Sequence, residues 1–142
     1  VIADADALID YLGDDPRQEP RDERGRGRRR AADRVDRLLS ARALATTSVA
    51  AFEVWAGGED PETIALFAAM RRRIYETDAA AAREAGRIFR ELEDQGQRVG
   101  AMDCLIAAVA LRRGLPLLTS NAEHYRRIQR VRPQLQLVEA RT

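Results

Sequence analysis

The spacing of apolar residues changes several times along the chain, and each change marks an element. Val1–Ala3 form a short apolar run, after which Ala7, Leu8, Tyr11 and Leu12 recur at helical spacing. This predicts a buried strand, a turn over Asp4–Asp6 and a helix ending near Gly13, with Asp14-Asp15-Pro16 as the break. Residues 14–27, polar and glycine-containing, read as an exposed loop. A helix is predicted from about Arg28 to Ala41, with Ala31, Val35, Leu38 and Leu39 on one face. Ala43–Thr46 reads as a second strand. Ser48 is the predicted N-cap of a helix through Val49, Phe52 and Ala56 that Gly57-Gly58 closes. Pro61 suits the first turn of the next helix, which carries Ile64, Phe67 and Ala68, and Arg73–Glu76 reads as a short strand.

In the second half, Asp78 caps a long helix with Ala81, Ala85, Ile88, Phe89 and Leu92 on one side, and Gly96 ends it. The helix from Asp103 to Arg113 is apolar nearly all round, so it must be buried on several sides. Gly114 closes it. Leu115–Thr119 reads as a buried strand, Ala122–Ile128 as a short helix and Leu135–Glu139 as a last strand. Strands separated by helices require crossover connections. The expectation is a single α/β domain over residues 1–142, with a central, mostly parallel sheet of about four to five short strands flanked by helices on both faces. Ligands of such sheets bind outside the carboxyl ends of the strands.

Composition removes many chemistries. The chain has one cysteine, Cys104, and one histidine, His124, so neither a disulfide framework nor a zinc site of Cys/His type is available. All 24 basic residues are arginine, which excludes a Walker lysine, a Schiff base and a lysine general base. No apolar run approaches the roughly 20 residues of a membrane-spanning helix, and no signal peptide is evident, so the expected address is the cytoplasm. Carboxylates remain, with or without a metal. The net charge is only +1, but residues 17–30 hold seven arginines against three acids.

Three acids fall at special places. Asp4 follows the first strand, Glu53 lies in the helix after the second, and Asp103 opens the most buried helix. Each has a plain reading alone: a helix cap for Asp4, a solvated position for Glu53, a helix-terminus charge for Asp103. In a parallel sheet, however, strand ends and the following helix starts gather at one edge. Clustered carboxylates raise one another's pKa unless compensated, and a hard cation such as Mg²⁺ compensates them.

Three segments carry a family likeness. ADADALIDYL resembles the opening of PIN-domain nucleases, TTSVAAFEVWAGG the Glu-bearing second motif, and MDCLIAAVALRRGLPLLTSNAEHYRRI the closing motif. They occur in family order across residues 1–128, and at this length the most similar subgroup is the VapC-like toxins. The resemblance implies a Mg²⁺-dependent RNA phosphodiesterase, with Mn²⁺ as an alternative ion, and puts Asp4, Glu53 and Asp103 at the three main acidic positions. Asn121 stands where many members have a fourth acid. Asp6 stands where Ser or Thr is frequent and restores a charge; Thr119 is a candidate hydroxyl contact behind the ion or on the phosphate. It further implies a VapB-like antitoxin that masks the carboxylates with a cation, and a homodimer using apolar residues such as Trp55 and Phe67.

Other residues read more plainly: Cys104 as core, His124 as a surface residue of a short helix (with substrate contact as a minority reading, since it lies three positions from Asn121), and Phe52 and Trp55 as core or dimer contacts. Within the arginine-rich segment, Arg28, Arg29 and Arg30 are candidate RNA contacts. Two rivals stand beside the nuclease. A PIN fold with weak or no nuclease activity would act by binding a partner. VIADADAL also resembles the opening of haloacid-dehalogenase-type phosphatases, but Leu8 departs from that motif and its later lysine is absent.

Overall fold

The computed structural model describes all residues from Val1 to Thr142. In chain order its elements are β1 (Ile2–Ala3), α1 (Ala5–Gly13), α2 (Glu23–Ser40), β2 (Thr46–Thr47), α3 (Ser48–Trp55), α4 (Pro61–Met70), a 3-10 turn (Arg71–Arg73) and β3 (Ile74–Tyr75). They continue with α5 (Ala79–Asp94), α6 (Ala101–Arg113), β4 (Leu117–Thr119), α7 (Ala122–Val131) and β5 (Leu137–Glu139). All strand pairs are parallel. β1, β4 and β5 form one ladder in that order, β2 pairs with β3, and a parallel bridge between Ile2 and Ala45 joins the two groups. β1, β3, β4 and β5 are shorter than the predicted segments, whose outer residues serve as connections, and β2 lies further along than the predicted Ala43–Thr46, at Thr46–Thr47.

Successive strand residues point to opposite faces. Ile2 and Ala3 of β1 and Leu117 and Leu118 of β4 are all at most 1% exposed, so helices cover the sheet on both faces, as expected of parallel strands. α1 packs on α2, and α5 on α6 and α7. α6 is buried nearly all round, with Cys104, Ile106, Ala107, Ala108, Val109 and Ala110 inside; burial pushes the Cys104 thiol up to about 11, which makes it core and not chemistry. Gly114 closes α6 at φ +63°, a left-handed conformation that a side chain would strain.

The largest difference from the sequence expectation lies at residues 14–30. The loop ends at Asp22, not Gly27, and α2 begins at Glu23 rather than Arg28. Asp22 caps the helix by accepting from the Gly25 N–H at 2.8 Å. The two glycines that suggested a loop are instead sites of close packing: a Cβ on Gly25 would meet Pro20 at 3.3 Å, and one on Gly27 would touch the Arg141 side chain at 3.5 Å. Arg29 bonds Asp14 and the carbonyls of Asp15 and Gln18, and Arg30 bonds Glu23 and the Arg141 carbonyl. Two of the three candidate RNA-contacting arginines are thus already engaged; Arg28 has no protein partner. Smaller differences follow the same logic. Thr47, not Ser48, caps α3 by accepting from the Ala50 N–H at 3.1 Å, and α6 starts at Ala101, so Asp103 sits in its first turn. Phe67 is buried, 4% exposed, and Trp55 packs against it with ring centroids 4.4 Å apart and the rings tilted by 45°, so Phe67 offers nothing to a second copy.

Candidate active site

Asp4 directly follows β1 and caps α1, as its extended backbone and the 2.8 Å bond from the Ala7 N–H show. Its other oxygen accepts from the Thr119 hydroxyl at 2.5 Å, across from the end of β4. Asp4 is only 2% exposed, and no cation accompanies it. Burial pushes its carboxyl up to about 7, helped by the nearby negative charges of Asp6 and Asp103 and opposed by the bonds from Thr119 and Ala7.

Asp103, in the first turn of α6, is held from α7. Tyr125 donates its hydroxyl to Oδ1 at 3.2 Å, and His124 Nδ1 stands 3.0 Å from Oδ2. Asn121 occupies the N-cap position of α7 without capping it. Its side-chain amide turns to His124 Nδ1 at 3.1 Å, while its backbone N–H donates to Thr119 Oγ1 at 2.8 Å. Residues 119–125 therefore hold both aspartates: Thr119 the first, His124 and Tyr125 the second. Burial raises the Tyr125 phenol well above its ordinary value, and the charges of Asp4, Asp103 and Glu53 add to that.

Glu53 on α3 and Asp6 on α1 complete the acidic edge. Both titrate above their ordinary values, first through burial and then through the charge of Asp103; Asp6 also repels Glu53, and Asp10 repels Asp6. The four acids thus share one electrostatic neighbourhood outside the carboxyl ends of β1 and β4. They do not form a closed cage, since no three of the chain's His, Cys, Asp and Glu side chains stand close enough to enclose an ion. No arginine lies within ion-pairing distance of any of the four; the sole ion-pair partner is His124.

The donor set suits a hard cation. It offers carboxylate oxygens, the Asn121 amide oxygen and the Thr119 hydroxyl, without sulfur, and Arg141 and His124 relieve its repulsion only in part. Its openness suits an ion that keeps several waters, as Mg²⁺ does.

Four participants were not apparent as such in the sequence. His124 is no plain surface residue, and Tyr125 reaches the site from the core. Asp10, buried one turn beyond Asp6, is clamped by Arg141 through two 2.7 Å bonds, and this guanidinium is the arginine that moderates Asp6. The spacing of Asn121, His124 and Tyr125 on one helix was a usable signal; the pairing of Asp10 with a residue 131 positions away was not.

Comparison with known proteins places the fold. A tRNA(fMet)-specific endonuclease VapC of Shigella flexneri is 39% identical over 61 residues, which are 43% of this chain and 46% of that protein, so the match spans a little under half of the relative's length. The crystal structure of FitAcB from Neisseria gonorrhoeae superposes with a TM-score of 0.71 at 15% identity, covering 98% of this chain and 96% of that one. DNA-bound VapBC from Salmonella typhimurium gives 0.66 at 20% identity, covering 97% and 96%. The PIN domain family model matches residues 1–131, and the chain belongs to that family.

Proposed function

We propose that the chain is a Mg²⁺-dependent endoribonuclease, with Mn²⁺ as a substitute ion, and that it acts inside the cell as the toxin of a VapBC-like toxin–antitoxin pair. The observation that carries the reading is the acidic edge itself: Asp4, Asp6, Glu53 and Asp103 gather with no arginine in ion-pairing distance, in a chain whose 24 basic residues are all arginine. Membership of the PIN domain family and the partial match to a VapC endonuclease support it.

Asp4, Asp103 and Glu53 would hold the ion, with Asp6 and the Asn121 oxygen beside them. When bound, a divalent cation reverses the local sign, lowers the pKa of a coordinated water and polarises the phosphoryl oxygen. The protein's own part is positional. Thr119 and the Ala7 N–H fix Asp4, and His124 and Tyr125 fix Asp103. Without an ion the same carboxylates repel a phosphodiester, so RNA binding at this edge and metal binding are coupled. No serine, cysteine or lysine nucleophile stands among these residues, which accords with water as the attacking group.

An antitoxin supplies the control that an active ribonuclease needs inside a cell. One solved neighbour is a VapBC, the toxin–antitoxin type that the sequence resembles, which supports a partner here. An antitoxin arginine or lysine placed among Asp4, Glu53 and Asp103 would mask the site by charge-assisted bonds. Phe52, Ile64 and Trp55 are 57%, 56% and 40% exposed on α3 and α4, and support self-association through that face; light scattering at tens of micromolar tests it, with a monomer as the contrary result.

The deciding experiment incubates the purified protein with total RNA in Mg²⁺, Mn²⁺ or EDTA and sequences the new ends. Discrete ends that vanish in EDTA and in the Asp4→Ala variant are expected. Ends that persist in EDTA, or an absence of ends in either metal, sink the reading.

A further inference from the structure

We infer that His124 is a positioning residue for the Asp103 carboxylate: with Tyr125 it fixes both carboxylate oxygens, so that Asp103 presents a set orientation to a divalent cation. The inference rests on the metal-dependent reading above and adds to it a residue outside the acidic set.

The geometry constrains the tautomer. An ionised carboxylate only accepts, so the 3.0 Å approach of His124 Nδ1 to Asp103 Oδ2 requires a proton on Nδ1. That nitrogen also lies 3.1 Å from the Asn121 amide nitrogen. Two donors facing each other repel, and the two ends of a primary amide are nearly the same size. A half-turn of the amide presents Asn121 Oδ1 instead, and the Nδ1–H is then shared between Asp103 and Asn121. Tyr125 meanwhile occupies Oδ1 of Asp103 at 3.2 Å. One donor on each oxygen stops the carboxylate from rotating about its last bond, and each oxygen keeps a lone pair for another partner.

The local sequence accounts for the arrangement. Asn121 and His124 are three residues apart on the first turn of α7, so their side chains are neighbours on one face. Asn121 gives up the capping bond that its position would favour, and its amide serves the histidine. Tyr125 points inward and is 1% exposed, whereas the His124 side chain keeps 43% of its surface. The loss of the His124 ring therefore opens no cavity, and its effect reports on the hydrogen bond. Residues that orient a metal-binding side chain from behind typically change metal affinity by about 10- to 100-fold.

Isothermal titration calorimetry of Mn²⁺ into the EDTA-treated, dialysed protein tests this in the parent, H124A and H124N. Asparagine carries an N–H close to where His Nδ1–H stands, so H124N retains the donor to Asp103. We expect H124A to bind Mn²⁺ about 10-fold more weakly and to lose a similar factor in kcat for RNA with KM little changed, and H124N to recover both to within about threefold. Parental Mn²⁺ affinity in H124A, or an H124N as impaired as H124A, overturns the inference. A parent protein that binds no Mn²⁺ overturns both the inference and the reading on which it rests. A parent that binds Mn²⁺ without cutting RNA overturns only the nuclease reading, and the affinities of the two variants still decide the role of His124.

Discussion

Glu84 and Glu91 lie 2.5 and 2.6 Å from the single guanidinium of Arg132, whereas Asp4, Asp6, Glu53 and Asp103 form no ion pair with any arginine. α1 holds the same contrast within one turn: Asp10 takes both arms of Arg141, and Asp6, four residues earlier on the same side, takes neither. The paired acids do structural work. Arg132, just after α7, ties that helix to α5, and Arg141 ties the C-terminal segment to α1. Asp4, Asp6 and Glu53 at the sheet edge oppose folding, because burial and the neighbouring negative charges raise the free energy of their charged forms. A fold that places arginines on its structural acids and withholds them from four clustered ones keeps that edge for a cation from outside.

The largest expected effect divides the two regions by activity. Asp103→Asn keeps the shape of the side chain and removes its charge, and should lower the single-turnover rate of RNA cleavage by about 100-fold or more, since the polarisation it supports is worth several kcal/mol. Arg132→Ala should leave that rate within about threefold. Equal losses in the two variants would dissolve the distinction.

The next effect concerns pH in metal-free protein. The Asp4 carboxyl titrates at about 7 when folded and at 3.8 when free. Between these values the folded chain keeps a proton that the unfolded chain has released, so stability falls as pH rises and levels off above about 7. Asp6 and Glu53, also raised, act in the same direction. Asp15, Glu23 and Asp60 are lowered and act with opposite sign, but only as pH falls below their ordinary values of 3.8, 4.5 and 3.8, outside the range from pH 5 to 8. Urea unfolding in EDTA at pH 5, 6, 7 and 8 should show a decline on the order of a few kcal/mol, largely absent from Asp4→Asn. A flat parental profile would mean that the edge is compensated after all.

Arg132→Ala should cost about 2 kcal/mol of stability in urea unfolding, less than a fully buried pair because Glu91 is 45% exposed. A loss below about 0.5 kcal/mol would put this triad with ordinary surface pairs.

What the sequence made legible follows from how local each signal is. Asp4 and Asp103 stood out because an apolar strand precedes the one and an apolar helix follows the other. Gly114 and Asp78 were readable because helix ends obey short-range rules. The start of α2 was not readable, since Gly25 and Gly27 are poor helix formers whose use is contact with Pro20 and Arg141, and the latter is remote in sequence. His124 was misread for a similar reason. Its partner Asp103 lies 21 residues away on another helix, and only the packing of α6 on α7 brings them together.

The smallest effect concerns the arginine-rich start of α2, where the contrast between engaged and free side chains recurs among arginines. Arg29 is spent on Asp14 and two carbonyls, and Arg30 on Glu23 and the Arg141 carbonyl, while Arg28 has no protein partner. Of the three, Arg28 is therefore the one free to meet a phosphate. Gly27, beside it, packs on Arg141, whereas Arg28 borders a cavity with Gly13, Asp14 and Asp15 at the C-terminal end of α1, so a phosphate that it meets belongs to RNA beyond the acidic edge. In the cleavage-deficient Asp103→Asn background with Mg²⁺, Arg28→Ala should weaken single-stranded RNA binding by about two- to threefold and reduce the slope of log affinity against log salt by about 0.7, the value of one phosphate contact. Arg29→Ala should instead leave the slope unchanged and lower stability by about 1 kcal/mol through the released loop of residues 14–18. Fluorescence anisotropy across a salt series reads the first and urea unfolding the second. An unchanged slope in Arg28→Ala would assign the whole segment to structure, and a reduced slope in Arg29→Ala would show that RNA displaces its protein partners.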